Sequence, residues 1–157
     1  MYAQAPDRSK PPALGPSPAL KLPPIQRFKL SNGLPVVMME KHGVPLVQID
    51  LLVKAGTAMD PAGKSGLASM VAAMLDEGAG SRHALQLADA IDFLGANISA
   101  AAGRHTSAIA LNTPLSKLDS ALALMADVAL RPAFAPDELN RQRKERLTTL
   151  AQWHDQP

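Results

Sequence analysis

Four histidines, scattered serines and fourteen acidic residues are the side chains of this 157-residue chain whose types could do chemistry; there is no cysteine. A helical metal site wants two histidines three or four residues apart, so that both imidazoles share one face. His42, His83, His105 and His154 stand in a turn, near a helix start, in a hairpin turn and near the end. No two of them have that spacing, and each reads as a surface histidine rather than a ligand. A serine nucleophile presented on a sharp strand-to-helix turn would show Gly-x-Ser-x-Gly, which does not occur. Gly63-Lys64-Ser65-Gly66 contains the Lys-Ser of a phosphate-binding loop, but Ala58 occupies the position of the earlier glycine, and no nucleotide fold surrounds it. The residues alone therefore assign no catalytic, cofactor-binding or metal position, and no cofactor.

The elements that would position any site follow from periodicity. Residues 1–24 hold seven of the fourteen prolines, a composition that favours an extended polyproline spacer over packed structure. The folded part is expected over residues 25–157. Gln26–Leu30 alternates, Ser31-Asn32-Gly33 is a turn, and Leu34–Glu40 is an apolar strand, together an opening hairpin. Val47, Ile49, Leu51 and Val53 alternate against Gln48 and Asp50, a strand with one buried face. Gly63–Gly80 predicts a helix with Leu67, Met70, Val71, Met74 and Leu75 on a core-facing stripe, closed by Gly78-Ala79-Gly80. Ser81 is the expected N-cap of a second helix over Ala84–Leu94. Ile98–Ala102 and Ser107–Leu111 read as two strands around Gly103-Arg104-His105. Leu115–Leu130 is a third helix, and Pro136-Asp137-Glu138 opens a fourth, reaching about Gln152. The order ββ–αα–ββ–αα predicts an α+β sandwich: an antiparallel sheet with helix pairs packed on one face.

Composition excludes several functions. With 46% hydrophobic and 19% charged residues the chain is ordinary for a globular domain. Aromatics are only 3%, so the core must rest on Leu, Val, Ala and Met. The net charge of +2 owes much to Arg141, Arg143, Lys144 and Arg146. With no stacking aromatics among them, they read as a solvated helix face, and a nucleic-acid partner is not expected. No run of about 18 apolar residues exists to span a membrane. Tyr2-Ala3-Gln4-Ala5-Pro6 resembles the surroundings of a signal-peptidase site without a preceding apolar region. The expectation is an exported product, periplasmic or secreted.

Several segments, in order, resemble the insulinase/pitrilysin (M16) metallopeptidase family. Phe28-x-Leu30-Ser31-Asn32-Gly33-Leu34-x-Val36 is similar to its first strand and turn. Val53-x-Ala55-Gly56-Thr57 and Asp60-Pro61-Ala62-Gly63-x-x-Gly66-Leu67-Ala68 are similar to the loop leading into its metal helix. Phe93-Leu94-Gly95-Ala96 with Ser107, Leu124–Asp127, Pro132-Ala133-Phe134 and Asp137-Glu138-Leu139 continue the likeness. The resemblance implies the LuxS/MPP-like metallohydrolase fold and covers the first half or more of one family repeat, so the chain is expected to be a truncated repeat.

In active members, Gly-Leu-Ala is followed by His-x-x-Glu-His, two zinc ligands flanking a general base. At the matching positions stand Ser69, Ala72 and Ala73; the third ligand, a later glutamate, falls near Thr149, and a further acidic position near Gln142. Glu145 is the nearest carboxylate, and one carboxylate cannot make a zinc site. The resemblance thus implies a catalytically inactive domain that pairs with a zinc-bearing M16 repeat or subunit, in the same chain or co-encoded, to form a peptide-processing chamber. The alternative is a stand-alone structural or binding module of the same fold. Active relatives add an extended peptide to the edge strand that here reads Ile98–Ala102, where Ser99 replaces an expected side-chain amide; peptide pairing through the backbone alone stays open.

Overall fold

The structure, a computed structural model, describes residues 22–155 together with Gly15 and Ala19. Most of the proline-rich spacer expected over residues 1–24 lies outside the described residues. Backbone contacts divide the chain into two units, residues 1–43 and 44–157. In the first, β1 (Ile25–Lys29) and β2 (Pro35–Met39) pair antiparallel, with Arg27 opposite Val37. Gly33 takes φ +85° in the turn between them, and the Asn32 side-chain oxygen accepts the Leu34 N–H at 3.0 Å. Asn-Gly chemistry therefore sets this hairpin locally.

In the second unit the order is β3 (Leu46–Val53), a 3-10 turn (Thr57–Met59), α1 (Leu67–Met74), β4 (Gly78–Ala79), β5 (Arg82–His83) and α2 (Ala84–Phe93). Then come β6 (Asn97–Ala102), β7 (Ser107–Pro114), a 3-10 turn (Leu115–Lys117), α3 (Leu118–Leu130) and α4 (Pro136–Asp155). The main sheet has the order β3–β7–β6 and is antiparallel throughout. The α+β class with antiparallel sheets is what the sequence predicts. No described helix is long and apolar enough to cross a membrane.

Alternation gives this sheet one apolar face. The register aligns Ile49, Leu111 and Ile98 in one row and Leu51, Ile109 and Ala100 in the next. The opposite face carries Gln48, Asn112 and Asn97, then Asp50, Ala110 and Ser99. Helices α1 and α2 touch β6, and α3 touches β7. Leu87 and Ile91 of α2 meet Ala121, Leu124, Met125 and Val128 of α3 over Ile98, Ile109 and Leu111, forming one apolar cluster. Burial of this size drives the layers together.

The segment between α1 and α2 departs from the expected one. Helix α1 ends at Met74 rather than near Gly78, and β4 and β5 form a two-residue hairpin. Ser81 is not the N-cap: His83 is, its ring nitrogen Nδ1 accepting the Gln86 N–H at 3.4 Å while the Gln86 side chain accepts the His83 N–H at 3.2 Å. The cause is tertiary. Ala133 N–H donates to the Gly78 carbonyl at 2.9 Å and Gly80 N–H to the Arg131 carbonyl at 2.8 Å. Residues after α3 thus pull Gly78–Gly80 into strand pairing, where Gly78 holds φ +108° and a Cβ would lie 3.1 Å from the Arg82 carbonyl oxygen.

The apolar stripe of α1 is also redrawn. Ala72 and Met74 are buried, but Leu67 and Val71 are 42% and 41% exposed. The helix therefore packs by Met74 and the small Ala72, with Leu75 against the core cluster, while the N-terminal part of the expected stripe faces outward.

Candidate functional site

Helix α1 begins without a side-chain cap from its own N-cap residue, Gly66, which takes φ +90°. Asp60, six residues earlier, supplies the cap. Its two carboxylate oxygens accept the Gly66 N–H at 2.7 Å and the Ala68 N–H at 2.9 Å. A carboxylate at this end also complements the helix dipole. The loop before it is fastened separately. Thr57 and Ala58 N–H donate to the carbonyls of Gly103 and Arg104, both at 2.9 Å, and the Ser107 hydroxyl donates to the Ala55 carbonyl at 2.7 Å. Gly56 permits this approach, because a Cβ there would lie 2.4 Å from the Gly103 carbonyl oxygen.

Helix α4 lies against α1, and a cavity of about 610 Å³ opens between them. Ser69 and Ala73 line it from α1; Gln142, Glu145 and Thr149 line it from α4. Ala72, by contrast, is buried. Four positions singled out in the sequence, Ser69, Ala73, Thr149 and Gln142, thus border one space although they are up to 80 residues apart, a separation the Arg146–Gly66 contact illustrates.

The polar groups there are largely occupied with one another. The Gln142 amide donates to Glu77 Oε1 at 2.6 Å, and Arg141 reaches the same oxygen at 2.5 Å. Arg141 also holds Glu138 at 2.7 Å and Glu145 at 2.9 Å. These three carboxylates push the Arg141 guanidinium further toward its charged form. The Thr149 hydroxyl donates to the Glu145 carbonyl at 3.1 Å, as helical threonines do. Beside this fan, burial raises the Asp76 carboxyl above its ordinary value, the neighbouring Glu77 charge adding to the effect.

The histidines do not enter this space. His42 pairs with Glu40 at 3.1 Å in the first unit, His83 caps α2, and His105 is exposed in the β6–β7 turn. His154 is exposed near the end of α4. Among the described residues no group of three or more His, Asp or Glu side chains could hold a metal ion. No histidine is hydrogen-bonded to Ser69 among the described residues. Ser99 is exposed on β6, a strand at the sheet edge.

Two features of this region escape sequence reading. Asp60 lies too far before Gly66 to be a local capping signal, and although Glu138 and Glu145 stand at helical spacing from Arg141, its contact with Glu77 joins residues far apart in the chain. A second cavity, about 790 Å³, lies between α2 and α3, with Phe93 and Leu94 on its wall. Its polar side is Asp127, held by Arg131 and, at 3.3 Å, by Arg82.

Comparison with known proteins adds the following. The family model described as Insulinase (Peptidase family M16) matches residues 35–157. An uncharacterized zinc protease of Rickettsia bellii is 31% identical over 130 residues, 82% of this chain and 31% of that protein. One of Mycobacterium leprae is 28% identical over 131 residues, 83% of this chain and 29% of that protein. The chain therefore spans about a third of the length of these relatives. Among solved structures, the peptidase M16 inactive domain from Pseudomonas fluorescens superposes with a TM-score of 0.79 at 26% identity, covering 85% of this chain and 32% of that one. Pitrilysin superposes with a TM-score of 0.66 at 24% identity, covering 76% of this chain and 13% of its own, a likeness of fold.

Proposed function

The chain belongs to the insulinase family of peptidases, family M16, and from that premise we propose that it is a catalytically inactive domain pairing with a zinc-bearing M16 repeat or subunit to enclose a peptide-processing chamber. One observation carries the reading: the cavity between α1 and α4 is bordered by Ser69, Ala73 and Thr149, where active members place two histidines and a glutamate. Zinc takes imidazole, thiolate or carboxylate donors. Two hydroxyls and a methyl do not fit it, and Ala72 offers no base in the position between. Glu145 faces the cavity but is engaged by Arg141. No hydrolytic step is therefore assigned to this chain's residues.

The likeness to a solved M16 inactive domain supports the same reading. What this chain contributes is wall and scaffold, with β6 at its sheet edge as the surface a peptide could reach through its backbone. A periplasmic or secreted location belongs to the same proposal, resting on the small residues of Tyr2–Pro6; mass spectrometry of the native N-terminus tests it.

The deciding experiment is a peptide-cleavage assay with this protein alone and with a co-encoded His-x-x-Glu-His partner. Zinc-dependent cleavage is expected only when the partner is present. Hydrolysis by this chain alone, abolished by chelation, sinks the proposal. Absence of any such partner gene would favour the stand-alone structural module instead.

A further inference from the structure

Arg146 is the charged group that the α1–α4 cavity leaves unanswered. Its side chain is half-buried, lines the cavity, and donates one hydrogen bond, Nη1 to the Gly66 carbonyl at 3.3 Å. Among the described residues no carboxylate pairs with it, whereas its neighbour Arg141 holds three. The other charged residue on the cavity wall is Glu145, and Arg141 already engages it at 2.9 Å. The planar fork of a guanidinium suits a carboxylate, which it can bind through two parallel hydrogen bonds.

The rest of the cavity is complementary to a particular kind of anion. The Ser65 and Ser69 hydroxyls line the space, and neither has a hydrogen-bond partner among the described residues. Met70, Leu150 and Trp153 supply apolar surface in the same space. Arg146 and Trp153 are seven positions apart on α4, two turns or about 10 Å along one face. A ligand filling both ends must carry a carboxylate beside an apolar or aromatic group. The volume of about 610 Å³ lies in the range of small-molecule sites.

We propose that this cavity is a carboxylate-binding pocket, Arg146 receiving the anion with Ser69 while Met70, Leu150 and Trp153 hold an adjoining apolar group. The ligand chemistry is met by the free C-terminus of a peptide ending in an apolar residue, and equally by a small aryl or alkyl acid. Nothing in the proposal requires a partner repeat or a metal, so cleavage assays and binding assays succeed or fail separately.

Trp153 is the chain's one tryptophan, which makes its fluorescence the readout. The full chain is titrated with N-acetyl-leucyl-phenylalanine, with the C-terminal amide of the same peptide, and with 3-phenylpropionate. Saturable change is expected with the acids, and binding of the amide at least about tenfold weaker, as loss of a charged hydrogen-bonding partner entails. Whichever acid binds more tightly identifies the source. Arg146→Gln should weaken the acids about tenfold and leave the amide unchanged, with Arg146→Lys intermediate because it keeps charge without the fork. Equal binding of acid and amide, or no binding of either acid, overturns the proposal on the unaltered chain even if a variant fails to fold. Preference for an amidated cationic peptide overturns it too, by assigning the pocket to Glu145.

Discussion

Helices α3 and α4 follow one another in the chain, yet they are anchored in opposite ways. Helix α3 buries Ala121, Leu124, Met125, Asp127 and Val128 in thirteen residues. Helix α4 runs for twenty residues, and none of its described side chains is buried. The hydrogen bonds and ion pairs that tie α4 to the flanks of α1 run from Arg141 and Gln142 to Glu77, just past its C-terminal end, and from Arg146 to the Gly66 carbonyl at its N-cap. Such contacts fix geometry but contribute modestly when partly solvated, whereas apolar burial carries the bulk of folding energy. The contrast separates a helix that makes the core from one that makes a wall. A cavity and exposed Leu147, Leu150 and Trp153, at 60%, 50% and 69% exposure, occur on the wall side, where an assembling partner or a ligand would find surface to cover.

The sharpest way to break this comparison is to truncate one large apolar residue on each side. Leu111 is fully buried in the cluster beneath α3, and Leu111→Ala should cost about 2–5 kcal/mol. Leu147→Ala on α4 should change stability by less than about 0.5 kcal/mol. Urea unfolding midpoints of the two variants, at unchanged slope, measure both. Similar losses at the two positions would mean that α4 is part of the cooperative core after all.

The same contrast explains how much could be read in advance. Alternation in β3 and the four-residue spacing of Leu87 and Ile91 reveal the core side, because burial imprints period on sequence. Asn32-Gly33 and Pro136 mark a turn and a helix start through local backbone chemistry. The β4–β5 hairpin is invisible locally, since residues near Ala133, more than fifty positions on, create it. The composition of the α1–α4 site could be inferred by likeness to a family, which places Ser69, Ala73 and Thr149 together. Its electrostatics could be inferred only in part: Glu138 and Glu145 stand three and four positions from Arg141 on one helix, whereas Glu77 reaches it, and Gly66 reaches Arg146, only through the fold.

A smaller effect should come from the start of α1. Asp60→Ala removes both acceptors from the Gly66 and Ala68 N–H groups, and a loss of about 1–2 kcal/mol is expected from the missing cap. Because α1 carries the α4 contacts, the loss should be local. Amide hydrogen exchange should accelerate at Ala68 and Met70 while Leu111 stays protected. Uniform acceleration across both sides would show that α1 and the core open together, erasing the distinction.

The smallest expected effect tests the electrostatics of the wall directly, at Asp76 where α1 gives way to β4. Burial raises its pKa above 3.8, Glu77 adds to the rise, and its own backbone hydrogen bond and Arg141 oppose it. A carboxyl whose pKa is higher in the folded chain than in the unfolded one binds protons more tightly when folded. Ionised at neutral pH, it therefore works against folding, and that penalty is relieved as pH falls through the folded pKa toward the unfolded value. Asp76→Asn keeps the acceptor oxygen and removes the charge. It should raise Tm at pH 7 by no more than about 2 °C, and the advantage over the native chain should vanish near pH 3, where Asp76 is itself neutral. An advantage that persists unchanged at low pH would place its origin in packing or hydrogen bonding rather than charge, and the wall would then resemble the core more closely than its contacts suggest.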